Sequence, residues 1–212
     1  MASWAELLSG AEPGEHVVQL YGDDDRLLSR NVGRYLAKGL RRGDGLVVIA
    51  TPEHTSAIAR QIVEECPGAT FDAARVAGRL VMLDAEQTLA RLLLDGRPDA
   101  TRFRSVVGEV IASVRGRAAT GSVRAFGEMV SLLWDAGGHD DATRLEELWN
   151  GILADSCCSL FCAYRIDLLH HVGHAASLHP IIASHDHVLA GCNTLLSGGR
   201  RHRMGKSSTV SS

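Results

Sequence analysis

The chain has 212 residues, of which 45% are hydrophobic and 22% charged, enough for one α/β domain with a full core. A net charge of −3 argues against nucleic-acid binding, which carries a basic excess. No secretory signal or run of roughly 20 apolar residues is evident, and the odd set of five cysteines, with Cys157 beside Cys158, is not a secreted disulfide framework, so a cytoplasmic protein without membrane contact is expected.

Residues 1–13 read as an N-terminal extension closing on Pro13-Gly14. Residues 17–20 form a short apolar strand. A tight turn follows, Tyr21-Gly22-Asp23-Asp24-Asp25-Arg26, and then a helix with Leu27, Leu28, Val32, Tyr35, Leu36 and Leu40 on one side. Strand, turn, helix and strand is the arrangement in which many proteins cradle a nucleotide phosphate. A phosphate loop needs several glycines, a lysine and a Ser or Thr for magnesium. This turn has one glycine, no lysine and three carboxylates, which repel a triphosphate at close range. The degenerate loop points to sensing or scaffolding rather than catalysis. Aspartates in a row also cap helix N-termini.

Gly43 and Gly45 end the helix, and residues 46–50 are an unbroken apolar strand of the kind buried on both faces. Thr51-Pro52-Glu53 starts a helix with Ile58, Ile62 and Val63 inward, and Cys66-Pro67-Gly68 stops it. Residues 80–83 are a third strand, after which Asp84 and Gln87 make a capping box for a helix carrying Leu89, Leu92 and Leu93. Gly96, Pro98 and Asp99 read as a linker into a longer helix striped by Phe103, Val106, Val107, Val110, Ile111 and Val114. A fourth strand at 123–126 leads through Gly127-Glu128 to an apolar helix that breaks at Gly137-Gly138. A helix over 140–155 and a fifth strand over 159–164 follow. A last helix is expected near 178–196. From residue 197 the chain reads as a flexible tail containing Arg200-Arg201-His202-Arg203. The fold expected is a mostly parallel central sheet of about five or more strands with helices on both faces.

In open α/β sheets the ligand crevice lies beyond the carboxyl ends of the strands. The residues there are Tyr21, Gly22, Thr51, Glu53, Asp84, Glu128, Tyr164 and Arg165. The lead ligand-binding set is Tyr21, Gly22, Glu53, Glu128, Cys162 and Tyr164, a mixed apolar and polar lining. Each also has an ordinary role: a tyrosine packs, Glu128 suits a helix N-terminus, and Cys162 fills a core. Histidines and cysteines crowd the last third of the chain. Cys158 and Cys162 share a strand face, and His170 and His174 share a helix face if that stretch is helical. These four are the metal or haem candidates, although their spacing matches no zinc finger. No G-x-S-x-G elbow is present, which discounts covalent catalysis.

Five segments carry a family resemblance: HVVQLY at 16–21, LVMLDAE at 80–86, VRAFGEM at 123–129, RLEELW at 144–149 and LFCAY at 160–164. Together they resemble the MEDS domain, the methanogen/methylotroph DcmR sensory domain, over roughly residues 14–190. The resemblance implies a degenerate KaiC/RecA-like ATPase fold, sensing of small molecules such as hydrocarbon derivatives, and service in prokaryotic signalling and transcription regulation. In that frame Glu53 and Glu128 fall near the places of catalytic and magnesium-linked acids, without the lysine and hydroxyl that hydrolysis needs. The family often accompanies histidine-kinase, anti-sigma-type or DNA-binding modules, and none is visible here.

The reading is therefore a non-enzymatic sensory domain over 14–196, without a cofactor. It would bind a small organic ligand at the carboxyl edge of the sheet and relay it to a protein such as a histidine kinase or anti-sigma-type regulator. A homodimer through helix faces is compatible with the fold. The alternatives are a metal- or haem-dependent sensor, a nucleotide-binding ATPase-like protein using Glu53 and Glu128, and a pure interaction protein.

Overall fold

Alternating strands and amphipathic helices build one sheet with helical cover on each side. The computed structural model describes residues 11–166, 175–190 and 194–197. Strand β1 (His16–Leu20) leads to helix α1 (Asp25–Arg42), and β2 (Gly45–Ala50) to α2 (Pro52–Glu65) and α3 (Gly68–Val76). Strand β3 (Leu80–Asp84) leads to α4 (Ala85–Leu92). A small ribbon, β4 (Leu93–Leu94) with β5 (Arg97–Pro98), precedes α5 (Ala100–Phe103), a π-helical turn (Arg104–Gly108) and α6 (Glu109–Arg115). Strand β6 (Val123–Gly127) is followed by α7 (Met129–Asp135) and α8 (His139–Asp155), then β7 (Cys158–Tyr164), α9 (Ala175–Ser184), β8 (His187–Ala190) and β9 (Thr194–Ser197).

The main sheet runs β3-β2-β6-β7-β1-β8-β9. The first six strands in that order are mutually parallel, and β9 is antiparallel to β8 at the edge. Every residue of β1, β2, β6 and β7 is buried, as expected for central strands covered on both faces. Val17, Val48, Phe126 and Phe161 point toward α1, α2 and α3. Val18, Ile49, Ala125 and Tyr164 point the other way, toward α5 to α9. Among the described residues, no helix is long and apolar enough to cross a membrane.

Caps fix where the helices begin. The Asp24 carboxylate accepts from Leu27 N–H at 2.8 Å, and Asp84 accepts from Gln87 N–H at 2.8 Å. Helix α1 ends at Gly43, whose φ of 89° is the left-handed conformation favoured at helix ends. It also packs tightly: a Cβ at Gly33 would lie 2.4 Å from Gln61 Cβ on α2. Beneath α1, Arg124 of β6 is buried and donates through Nε to Asp44 at 3.2 Å.

Several local expectations change. The helix expected near 178–196 ends at Ser184, and residues 187–190 are instead a parallel strand against β1. A short apolar run cannot by itself distinguish helix from strand, and pairing with the buried edge of β1 decides it. The expected tail boundary at 197 falls on the last residue of β9. Residues 93–98, read partly as linker, form a hairpin: Asp95 and Gly96 have φ values of 53° and 79°, and two successive left-handed residues make a two-residue turn. Helix α3, past the stop at Pro67-Gly68, was not anticipated.

Candidate functional site

The chain leaves β2 toward β3 on one side and β6 toward β7 on the other, so a crevice opens between their carboxyl ends. Glu128, the first residue beyond β6, spans it. Its backbone N–H donates to Ile49 of β2 at 3.1 Å. Its carboxylate accepts from Thr51 N–H and, at 2.5 Å, pairs with His54 Nδ1 in the first turns of α2. Both side chains are nearly buried. The hydrogen bond to Glu128 raises the His54 pKa above its ordinary value of 6.5, although burial works to lower it.

Asp25, at the start of α1, closes the other wall. Its Oδ1 lies 3.5 Å from His54 Nε2 and accepts from Arg165 Nη2 at 3.1 Å. Arg165 follows β7; its backbone N–H donates to Ser131 Oγ at 3.1 Å, and its guanidinium lies 5.9 Å from the centroid of the Tyr21 ring. Burial pushes the Tyr21 hydroxyl above its usual 10, with Arg165 pulling against it. Burial likewise raises Asp135, again opposed by Arg165. Together these side chains line a cavity of about 330 Å³. Four carboxylates, Asp25, Glu53, Glu128 and Asp135, share it with one arginine and one histidine. The lining suits a small polar molecule that is neutral or cationic and opposes a polyphosphate.

Tyr21, Glu53 and Glu128 meet in this cavity. Gly22 sits in the adjoining turn with a φ of 55°. Cys162 and Tyr164 are completely buried on the side of the sheet that faces α8, where Tyr164 donates to Glu146 Oε1 at 2.8 Å. Asp84 is spent on the α4 cap. Cys158 is buried, with its thiol donating to the Ser159 carbonyl at 3.4 Å, while His170 and His174 lie outside the described residues.

The sequence reading missed His54, Asp25 and Ser131 as lining residues. His54 carried a signal: it lies three residues past the cap Thr51, where a helix begins at a strand's carboxyl end. Glu146 was missed too. It sits on the apolar stripe of α8 with Ala142, Trp149 and Leu153, and a carboxylate on a core-facing stripe needs a partner.

A parallel sheet with a polar crevice at its switch point defines an α/β domain with a candidate site at its carboxyl edge. The family model described as MEDS, the MEthanogen/methylotroph, DcmR Sensory domain, matches residues 15–185. The chain belongs to the MEDS family of sensory domains. A comparison with curated proteins finds no match to this chain.

Proposed function

We propose that this protein is a non-enzymatic sensor that binds a small organic ligand in the Tyr21–Glu128–Arg165 crevice and relays occupancy to a protein partner. Membership of a sensory family supports the signalling role. The observation that carries the ligand site is the cavity itself, placed where parallel sheets bind ligands and lined by converging polar groups. The acidic, lysine-free turn at 21–26 argues against the phosphate chemistry of a KaiC/RecA-like ancestor, a kinship that remains part of this proposal.

The relay is the Asp25–Arg165 pair. Both partners are about half exposed, 50% and 47%, so the pair contributes at most about 1 kcal/mol. A ligand that takes either partner releases the end of β7 from the start of α1. A signal requires that the ligand prefer one of the two arrangements. A histidine kinase or anti-sigma-type regulator is the kind of partner that would read the change.

The test is calorimetry and thermal shift of the full chain with short alcohols, amines, halogenated hydrocarbons and Mg-nucleotides. One organic class should stabilise the protein, and Arg165→Gln should abolish that response. Flat responses in every organic class, or saturable Mg-ATP binding at residues 21–28, would overturn the reading.

A further inference from the structure

On the opposite face of β7 from α1, four buried side chains from distant parts of the chain converge. His16 opens β1, Cys162 lies in β7, Glu146 projects from α8, and His185 follows α9. All are 0–1% exposed. One ligand-type atom from each lies within 4.8 Å of every other. His16 Nε2 is 3.2 Å from Cys162 Sγ and 3.3 Å from Glu146 Oε2. Cys162 Sγ is 3.7 Å from Glu146 Oε2, and His185 Nε2 is 3.4 Å from Glu146 Oε1. Metal bonds of about 2.0–2.3 Å in a tetrahedron require donor separations of about 3.3–3.6 Å. The four separations, 3.2–3.7 Å, lie close to that range.

The outer contacts orient both rings. His16 Nδ1 is 3.0 Å from Asn150 Oδ1, and the Asn150 amide nitrogen donates to the Ser184 carbonyl at 3.3 Å, which fixes the oxygen toward the ring. His185 Nδ1 is 2.6 Å from the Ile181 carbonyl. Each Nδ1 therefore carries the proton and donates it outward. In the neutral rings each Nε2 then turns a lone pair toward the Glu146 carboxylate and the Cys162 sulfur. His185 Nε2 makes no hydrogen bond despite complete burial. Lone pairs and a carboxylate facing one another in a dry core repel unless a proton or a metal ion sits among them. A ring N–H directed outward to an oxygen is the usual outer arrangement of a metal-binding histidine. Tyr164, donating to Glu146 Oε1 at 2.8 Å, orients the carboxylate in the same way.

The geometry points to a closed transition-metal site formed by His16, Glu146, Cys162 and His185, with Zn²⁺ the best match to its two imidazoles, thiolate and carboxylate. A divalent ion, a thiolate, a carboxylate and two neutral rings sum to zero charge, as a buried site requires. Binding releases the Cys162 proton to solvent; thiols must ionise to coordinate. Four protein donors leave no open position, so the ion is structural. It ties β1, β7, α8 and the segment entering β8 into one unit. The set shares only Cys162 with the candidates Cys158, Cys162, His170 and His174, and it shares no residue with the lining of the crevice, so the two proposals fail independently.

Elemental analysis of the full chain, purified without chelators or metal-affinity steps, tests the site. A single zinc ion per chain is expected. The protein is then unfolded with chelator and refolded with Co²⁺. The wild type should show intense tetrahedral ligand-field bands and a thiolate-to-cobalt charge-transfer band. Cys162→Ser should lose the charge-transfer band, and Cys158→Ser, in the same strand, should keep both. If Cys162→Ser does not fold, the wild-type spectrum still decides. A wild-type chain that is folded yet metal-free as purified, and that shows no cobalt spectrum after refolding with excess ion, would overturn the site. The cluster would then be a His–Glu–His ion network.

Discussion

The Glu128 carboxylate and the His54 imidazole meet at 2.5 Å across the carboxyl ends of β6 and β2, and they close the floor of the crevice. Glu128 also accepts from Thr51 N–H, the residue that caps α2. Glu128→Ala strips a nearly buried imidazole and a backbone donor of one shared partner. Breaking such a pair from one side costs about 3 kcal/mol. Urea denaturation of Glu128→Ala, His54→Ala and the double variant should give a coupling energy of about 1–3 kcal/mol. Strict additivity would show that the two residues do not act together.

The same pair sets a pH dependence. Folding raises the His54 pKa above 6.5, led by its hydrogen bond to Glu128. A raised histidine contributes stability that is fully present below the unfolded value and lost as pH rises through the folded one. The stability difference between wild type and His54→Gln should therefore be largest near pH 6 and shrink through the region above 6.5. A difference that grows with pH would contradict the assignment. Titration of the His54 ring by NMR should show the upward shift directly.

The acidic turn separates into capping and pairing roles. Asp24 caps α1, and its replacement by alanine should cost about 1 kcal/mol. Asp23 is exposed and makes no such cap, so Asp23→Ala should stay within about 0.5 kcal/mol of wild type. Thermal denaturation of the two variants side by side reads the difference. Equal losses would mean that the carboxylates act only through their summed charge.

Two helix glycines should respond with opposite signs. Gly33→Ala places a Cβ 2.4 Å from Gln61 Cβ and forces α1 and α2 apart. Overpacking of this kind costs about 1–3 kcal/mol, more than the helix propensity gained. Gly151 in α8 is exposed, with no other atom near where its Cβ would go. Gly151→Ala should stabilise by up to about 1 kcal/mol, the propensity gain alone. Denaturant midpoints of both variants check the contrast.

Elements whose signals are local were legible from the residues alone. The short runs at 46–50, 123–126 and 159–164, set between turn signals and helical stripes, read as strands, and the caps at Asp24, Thr51 and Asp84 are written in neighbouring residues. The parallel α/β sheet and the carboxyl-edge placement of Tyr21, Glu53 and Glu128 followed from these, and the family resemblance from five short segments between residues 16 and 164. Residues 187–190 were misread because a four-residue apolar run has no period of its own and became a strand only by pairing with β1. Packing in three dimensions joined Glu128 to His54, 74 residues earlier, and brought His16 within 3.3 Å of Glu146 across 130 residues of chain. Strand order and register create such contacts, and neither is carried by local spacing.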